Sequence, residues 1–67
     1  MNISKLKAKI VEKDMNVEKL ADCVGIDRSS MYRKLNNFDR ISIGEAKKIK
    51  AALELTDEEA TLIFLQN

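Results

Sequence analysis

The side chains best suited to chemistry in this sequence lie on a predicted helix between residues 28 and 36. Its outer face would carry five polar residues, none of them acidic: Arg28, Ser29, Tyr32, Arg33 and Asn36. In a DNA major groove, Arg can donate two hydrogen bonds to guanine, Asn can pair with adenine, and Ser can bond to either. Met31 and Leu35, spaced i, i+4, would anchor the inner face. The pattern favours a surface that reads DNA bases, although charged outer faces are also common on helices that only face solvent.

A second helix and a tight turn are predicted to position this face. Apolar residues recur at i, i+3, i+4 and i+7, which is the spacing of one helix face: Val17, Leu20, Ala21 and Val24. Asn16 and Asp27 precede the two helices as N-caps, and Gly25 between them can adopt the left-handed conformation that ends a helix. A short turn with glycine between two such helices predicts a helix-turn-helix over residues 17–37.

These residues support a resemblance to a known family. The segment LADCVGIDRSSMYRKLN resembles the helix-turn-helix of the Cro/C1-type (XRE-like) repressors, especially small phage and mobile-element regulators. The following SIGEAKKIKAALELTDEE is similar to the part that comes next in those proteins, so the resemblance covers most of the chain. The positions at which the family keeps its packing residues are filled by Leu20, Ala21, Gly25, Ile26, Ser30, Met31 and Leu35. The resemblance implies a lambda-repressor-like DNA-binding fold.

The resemblance also implies a set of DNA contacts. By analogy with the family, the residues that contact bases would be Arg28, Ser29, Tyr32 and Arg33. The residues expected to contact the DNA backbone are Asn16, Lys34, Asn36, Asn37 and Arg40. Two positions differ from many members, because Val17 replaces a Gln that touches phosphate and Asn36-Asn37 replaces Asn-Gly. Lys34 and Arg40 could equally be ordinary exposed charges of a loop.

The rest of the chain is predicted to be helical as well. A first helix over residues 4–14, capped by Asn2 or Ser4, would bury Leu6 and Ile10 in a stripe that Ile3 and Val11 widen. Two capping boxes, Ser42 with Glu45 and Thr56 with Glu59, would open a fourth and a fifth helix. The predicted stripes of these helices are Ile43, Ala46, Ile49 and Leu53, then Ala60, Ile63 and Phe64. Phe38 and Ile41 are expected in the core. We therefore predict an all-α, compact five-helix domain spanning residues 1–67.

The distribution of charge is more informative than the net charge of +1. Residues 1–50 contain all 12 basic residues and seven of the 11 acidic ones, which gives this part a net charge of +5. Residues 51–67 contain the other four acidic residues and no basic one. Such asymmetry suits a basic binding face and an acidic far end, but helical domains without nucleic acid show similar splits.

The composition argues against several classes of function. With no His and one Cys, the chain offers no zinc site, and neither metal nor cofactor is expected. No nucleophile lies beside a base, so we do not expect an enzyme. The apolar run 62–65 is too short to cross a bilayer, so no membrane partner is expected and a cytoplasmic location is predicted. The lone Cys23 is expected to be a buried or half-buried apolar side chain.

Two functions remain open. The first is a sequence-specific DNA-binding regulator, such as a Cro-like repressor, whose partner is double-stranded DNA. It needs no small-molecule ligand. Two copies would form a homodimer, at least on DNA, through the terminal helix with Leu62 and Leu65. The alternative is a helical protein-interaction module, such as an antirepressor or an accessory subunit of a nucleoprotein complex.

Overall fold

The computed structural model describes residues 1–36 and 40–65, and this part of the chain forms five helices and no strand. The helices are α1 (Ile3–Glu12), α2 (Val17–Val24), α3 (Arg28–Leu35), α4 (Ile43–Ala52) and α5 (Asp57–Phe64). The all-α prediction is confirmed, and the helix starts agree with the predicted ones to within a residue. Helix α1 ends two residues earlier than predicted and α3 ends one residue earlier.

Each helix begins at a side chain that accepts a hydrogen bond from the backbone N–H three residues later. The five N-caps are Asn2, Asn16, Asp27, Ser42 and Thr56. Both predicted capping boxes are formed, because the Glu45 and Glu59 carboxylates accept from the N–H of their own N-cap residue. Local polar residues therefore fix where every helix starts.

The turn between α2 and α3 depends on one glycine. Gly25 has a φ of 82°, and its N–H donates to the Ala21 carbonyl at 2.8 Å. The Ile26 N–H donates to the same carbonyl at 3.1 Å. The α1–α2 and α4–α5 connections use left-handed residues that are not glycine, since Asp14 has a φ of 57° and Glu54 one of 53°. Three of the connections therefore contain a residue in the left-handed conformation, and only Gly25 could be recognised from its residue type.

The core is made of apolar side chains from all five helices and the α4–α5 connection. The buried residues are Leu6, Ile10, Leu20, Ala21, Val24, Met31, Leu35, Ile49, Leu53, Leu55 and Ile63. Helix α2 packs on both α3 and α4, and α1 packs on α5. Ile41 is half-buried against this core. Phe38 lies outside the described residues. Among the described residues, no helix is both long and apolar enough to span a bilayer.

Three expectations about burial are wrong. Val11 is 76% exposed and Ile43 is 79% exposed. Val11 follows the buried Ile10, and one residue is about 100° further round a helix, which turns its side chain away from α5. Ile43 is the first residue of α4, and its side chain borders an open groove between α4 and α5. Cys23 is exposed, because it precedes the buried Val24 by the same rotation.

Candidate nucleic-acid interface

Helix α3 has two faces with opposite environments. Met31 and Leu35 are buried against the core, so they fix the rotation of the helix about its axis. The four residues predicted to contact bases are all exposed on the remaining surface: Arg28, Ser29, Tyr32 and Arg33. The helix contains no acidic residue. The structure thus brings the predicted base-contacting residues together in one strip that carries positive charge.

Tyr32 makes a contact that the sequence did not indicate. Its hydroxyl donates to the Glu18 carboxylate on α2 with an O–O distance of 2.7 Å. This hydrogen bond is the largest cause of two pKa shifts, since it lowers the pKa of Glu18 and raises the pKa of Tyr32. Fourteen residues separate the two side chains, so no local spacing rule would pair them. Glu18 is therefore a residue of this surface that sequence reasoning missed.

Arg28 is held more loosely than Tyr32. Its guanidinium lies 3.4 Å from the Asp22 carboxylate, and both side chains are more than half exposed. A pair at that distance in solvent contributes little to stability. The guanidinium of Arg28 therefore keeps donors available for a ligand in front of α3.

The residues predicted to contact the DNA backbone do not all lie in one strip. Asn16 caps α2 through the Lys19 N–H, and the Asn36 side-chain amide donates to the Tyr32 carbonyl at 2.9 Å. Both residues are exposed, as is Arg40. Asn37 lies outside the described residues. The structure brings Asn16 and Asn36 beside one groove, next to Tyr32.

Lys34 differs from the other candidates because its ammonium group is paired with another residue of the protein. Its ammonium donates to the Arg40 carbonyl at 2.9 Å and lies 3.2 Å from the Glu45 carboxylate, while the side chain is only 15% exposed. The pKa of Glu45 is lowered, first by the Ser42 N–H and then by Lys34. Lys34 thus ties the end of α3 to Arg40 and to the start of α4.

The acidic end of the molecule is stabilised internally. The Glu59 carboxylate pairs with the Lys9 ammonium and accepts from the Thr56 N–H, which joins α5 to α1. The contact with Lys9 is the largest cause that lowers the pKa of Glu59 to about 2. Asp57 pairs with Lys50 of α4, and this contact lowers the pKa of Asp57. These two contacts link the first turn of α5 to α1 and α4.

Two open grooves flank the helices. The groove between α4 and α5 has a volume of about 430 Å³ and is lined by Ile41, Ile43, Ala46, Phe64 and Leu65, among others. The second groove, of about 440 Å³, runs beside Tyr32 between α1, α2 and α3. Within residues 1–36 and 40–65 we find no group of three His, Cys, Asp or Glu residues that could hold a metal ion.

Comparison with known families agrees with this geometry. The sequence model of the Cro/C1-type HTH DNA-binding domain family matches residues 5–60, which include most of α1, all of α2 to α4 and the first turn of α5. No curated protein and no solved structure matches the chain. The resemblance inferred from the helix-turn-helix is confirmed, and so is the DNA-binding class. The chain belongs to the Cro/C1-type HTH DNA-binding domain family.

Proposed function

We propose that this chain is a sequence-specific transcriptional regulator that represses its target by occupying DNA with α3 in the major groove. One observation supports this proposal above all others. Buried Met31 and Leu35 hold α3 so that its exposed side carries Arg and Ser residues and no acid. These side chains can bond to base edges, and the phosphates on both sides of the groove attract their positive charge.

The proposed binding mode assigns a role to each part of the strip. The N-terminal half of the recognition helix lies closest to the bases in this class of domain, which places Arg28 and Ser29 deepest in the groove. Tyr32 and Arg33, one turn later, reach the adjacent base pairs. An Arg that donates two bonds to guanine discriminates by about 1–3 kcal/mol against the wrong base. Base contacts of this kind would supply sequence preference.

Backbone contacts would fix the orientation of α3 on the duplex. Asn16, Asn36, Asn37 and Arg40 can donate hydrogen bonds to phosphate oxygens. Arg40 is the strongest of these candidates, because it is exposed and carries a charge. Lys34 serves this contact through its bond to the Arg40 carbonyl, and it adds positive charge near the phosphates. Affinity would therefore fall as the salt concentration rises.

Two copies are proposed to bind one palindromic site in the cytoplasm, without any catalytic step. The groove between α4 and α5 supports this pairing, since the exposed Ile43 and Leu65 lie at its edge. Sedimentation of the protein with and without its DNA site would show whether the pair forms.

The test compares two variants with the same change in net charge. Arg33→Glu places an acid on the proposed reading strip, and Lys48→Glu places one on the exposed side of α4. We expect Arg33→Glu to weaken binding of the preferred duplex about 100-fold, near the upper end of the cost of losing an Arg–base contact, because the carboxylate also repels phosphate. Lys48→Glu should weaken it only a few-fold. Equal losses would contradict reading by α3 and would favour a protein-interaction module.

A further inference from the structure

The hydrogen bond between Tyr32 and Glu18 restricts the chemistry of the phenol. A tyrosine hydroxyl has one donor and two acceptor lone pairs. Its donor is occupied by the Glu18 carboxylate at 2.7 Å, the distance of a strong charge-assisted bond. Tyr32 is nevertheless 43% exposed. Toward a ligand in front of α3, its oxygen therefore offers lone pairs and no proton.

Base edges differ in what they can give to such an oxygen. In the major groove, adenine N6 and cytosine N4 are donors, whereas guanine O6 and N7 and thymine O4 are acceptors. Phosphate oxygens are acceptors as well. An oxygen that can only accept would bond to the first group and repel the second. The state of the phenol proton thus decides which bases Tyr32 can recognise.

We propose that Glu18 is a positioning residue that makes Tyr32 select adenine or cytosine over guanine or thymine on the contacted DNA strand. The inference rests on the proposed function, since it concerns the base preference of the same surface. Glu18 acts through Tyr32 and does not itself touch a base.

Tyr32 borders an open groove on one side and contacts α2 on the other. The groove of about 440 Å³ beside the ring is lined by apolar residues that include Met15 and Val17, so the ring has open space on that side. The hydrogen bond to Glu18 fixes the Tyr32 hydroxyl beside α2, so the ring does not turn into the groove. Asp22, one turn further along α2, contacts Arg28 and makes a natural control, because it carries the same charge on the same helix.

The first test reads the contact itself in the folded protein. Tyr32 is the single tyrosine of the chain and there is no tryptophan, so the ultraviolet absorbance of tyrosinate titrates this residue alone. We expect the pKa of Tyr32 to lie above 10.0 in the wild type, and to fall in Glu18→Ala. Asp22→Ala should change the pKa of Tyr32 much less than Glu18→Ala does, because Asp22 contacts Arg28 and makes no hydrogen bond to the phenol. If Glu18→Ala leaves the titration where it was, the contact is absent in solution and the proposal is wrong.

The second test measures base preference in a double-mutant cycle. Selections from random duplexes would be run with the wild type, Glu18→Ala, Tyr32→Phe, the double variant and Asp22→Ala. The position read by Tyr32 is the one whose preference changes in Tyr32→Phe. There the wild type should prefer adenine or cytosine by about two- to tenfold, the effect of one neutral hydrogen bond.

The pattern across the cycle decides the proposal. Glu18→Ala should lose this preference, and adding it to Tyr32→Phe should change the preference no further. Glu18→Gln should keep most of the preference, because its amide oxygen can still accept the hydrogen bond from the hydroxyl. Thermal melting checks that all variants fold. A wild-type preference for guanine or thymine, or an unchanged preference in Glu18→Ala, would overturn the role of Glu18 and leave DNA reading intact. A wild type that enriches no sequence would overturn both proposals.

Discussion

Helices α3 and α5 have the same length, eight residues, but opposite charge. Helix α3 carries Arg28, Arg33 and Lys34 and no acid, whereas α5 carries Asp57, Glu58 and Glu59 and no base. The acids of α5 all lie in its first turn, where the helix dipole favours negative charge. Helix α3 instead begins with Arg28, which the dipole disfavours. Such a departure from local stability is expected where a binding surface sets the residue type.

The inner faces of the two helices do not differ in this way. Met31 and Leu35 of α3 and Ile63 of α5 are all buried in the same core. Two of the acids of α5, Glu59 and Asp57, pair with Lys9 of α1 and Lys50 of α4. Arg28 and Arg33 of α3 are exposed, and the contact of Arg28 with Asp22 is long, at 3.4 Å. Burial in the core therefore explains both inner faces, and contacts with α1 and α4 explain two acids of α5, whereas the proposed DNA binding would explain the cations on the outer face of α3.

The largest expected effect comes from removing either inner face. Met31 and Ile63 are fully buried, so we expect Met31→Ala and Ile63→Ala each to lower the free energy of unfolding by about 2–5 kcal/mol. A chain of this size has a stability of only about 5 kcal/mol, so both variants should be close to unfolding. Urea denaturation followed by circular dichroism measures the change. A loss below about 1 kcal/mol in either variant would show that the helix is not anchored there.

The next effect separates the outer faces. Arg28→Ala should weaken binding to the preferred duplex by about 1–3 kcal/mol. It should leave stability unchanged or raise it slightly, because a cation leaves the first turn of α3. Glu58→Ala on α5 should do the reverse, lowering stability by about 0.3–1 kcal/mol without changing DNA affinity. Fluorescence anisotropy and thermal melting measure the two quantities, and equal effects of the two variants on DNA affinity would contradict the division between the helices.

A smaller effect is expected at the turn that leads into α3. Gly25→Ala should lower the free energy of unfolding by about 1–2 kcal/mol, the cost of a left-handed residue that has a Cβ. A Cβ at this position would meet nothing within 4 Å, so the cost is conformational and involves no clash. The matching change before α5 is Glu54→Gly, where φ is already 53°. It should alter stability by less than about 1 kcal/mol, because the relief of strain in the folded state is opposed by the greater conformational entropy that glycine gives the unfolded state.

The smallest effect is the dependence of α5 on pH. Because the folded state holds the pKa of Glu59 at about 2, below the ordinary 4.5, the Lys9–Glu59 pair stabilises the protein above pH 4.5. That stabilisation is lost as the pH falls from 4.5 to about 2. Glu59→Gln should therefore melt below the wild type at neutral pH, and the difference in Tm should shrink toward pH 2. Glu58→Gln is the control, and a Tm difference independent of pH would contradict the contact.

Features fixed by neighbouring residues were predictable from the sequence. The capping boxes at Ser42 and Thr56 and the left-handed turn at Gly25 each depend on a few consecutive side chains, and all three were identified. The family resemblance rested on the same local features. The burial of Met31 and Leu35 followed from helical spacing, which also placed the exposed strip of α3.

Features that depend on how helices pack were missed. Val11 and Ile43 extend apolar stripes in the sequence, but no helix covers them in the fold. The contact between Tyr32 and Glu18 and the ion pair between Lys34 and Glu45 join residues whose proximity follows from tertiary structure. Spacing along one helix carries no information about such partners. The electrostatics of the candidate interface could therefore be read only from the structure.

The most direct test of the central claim is a selection from random duplex DNA by the purified protein at two salt concentrations. If α3 reads bases, one palindrome should be enriched at both concentrations, with half-sites about 10 base pairs apart, the spacing of one DNA turn. Arg33→Glu should fail to enrich it. Weak binding that vanishes at the higher salt concentration, with no enriched sequence, would contradict the claim and leave only attraction between the basic strip and phosphate.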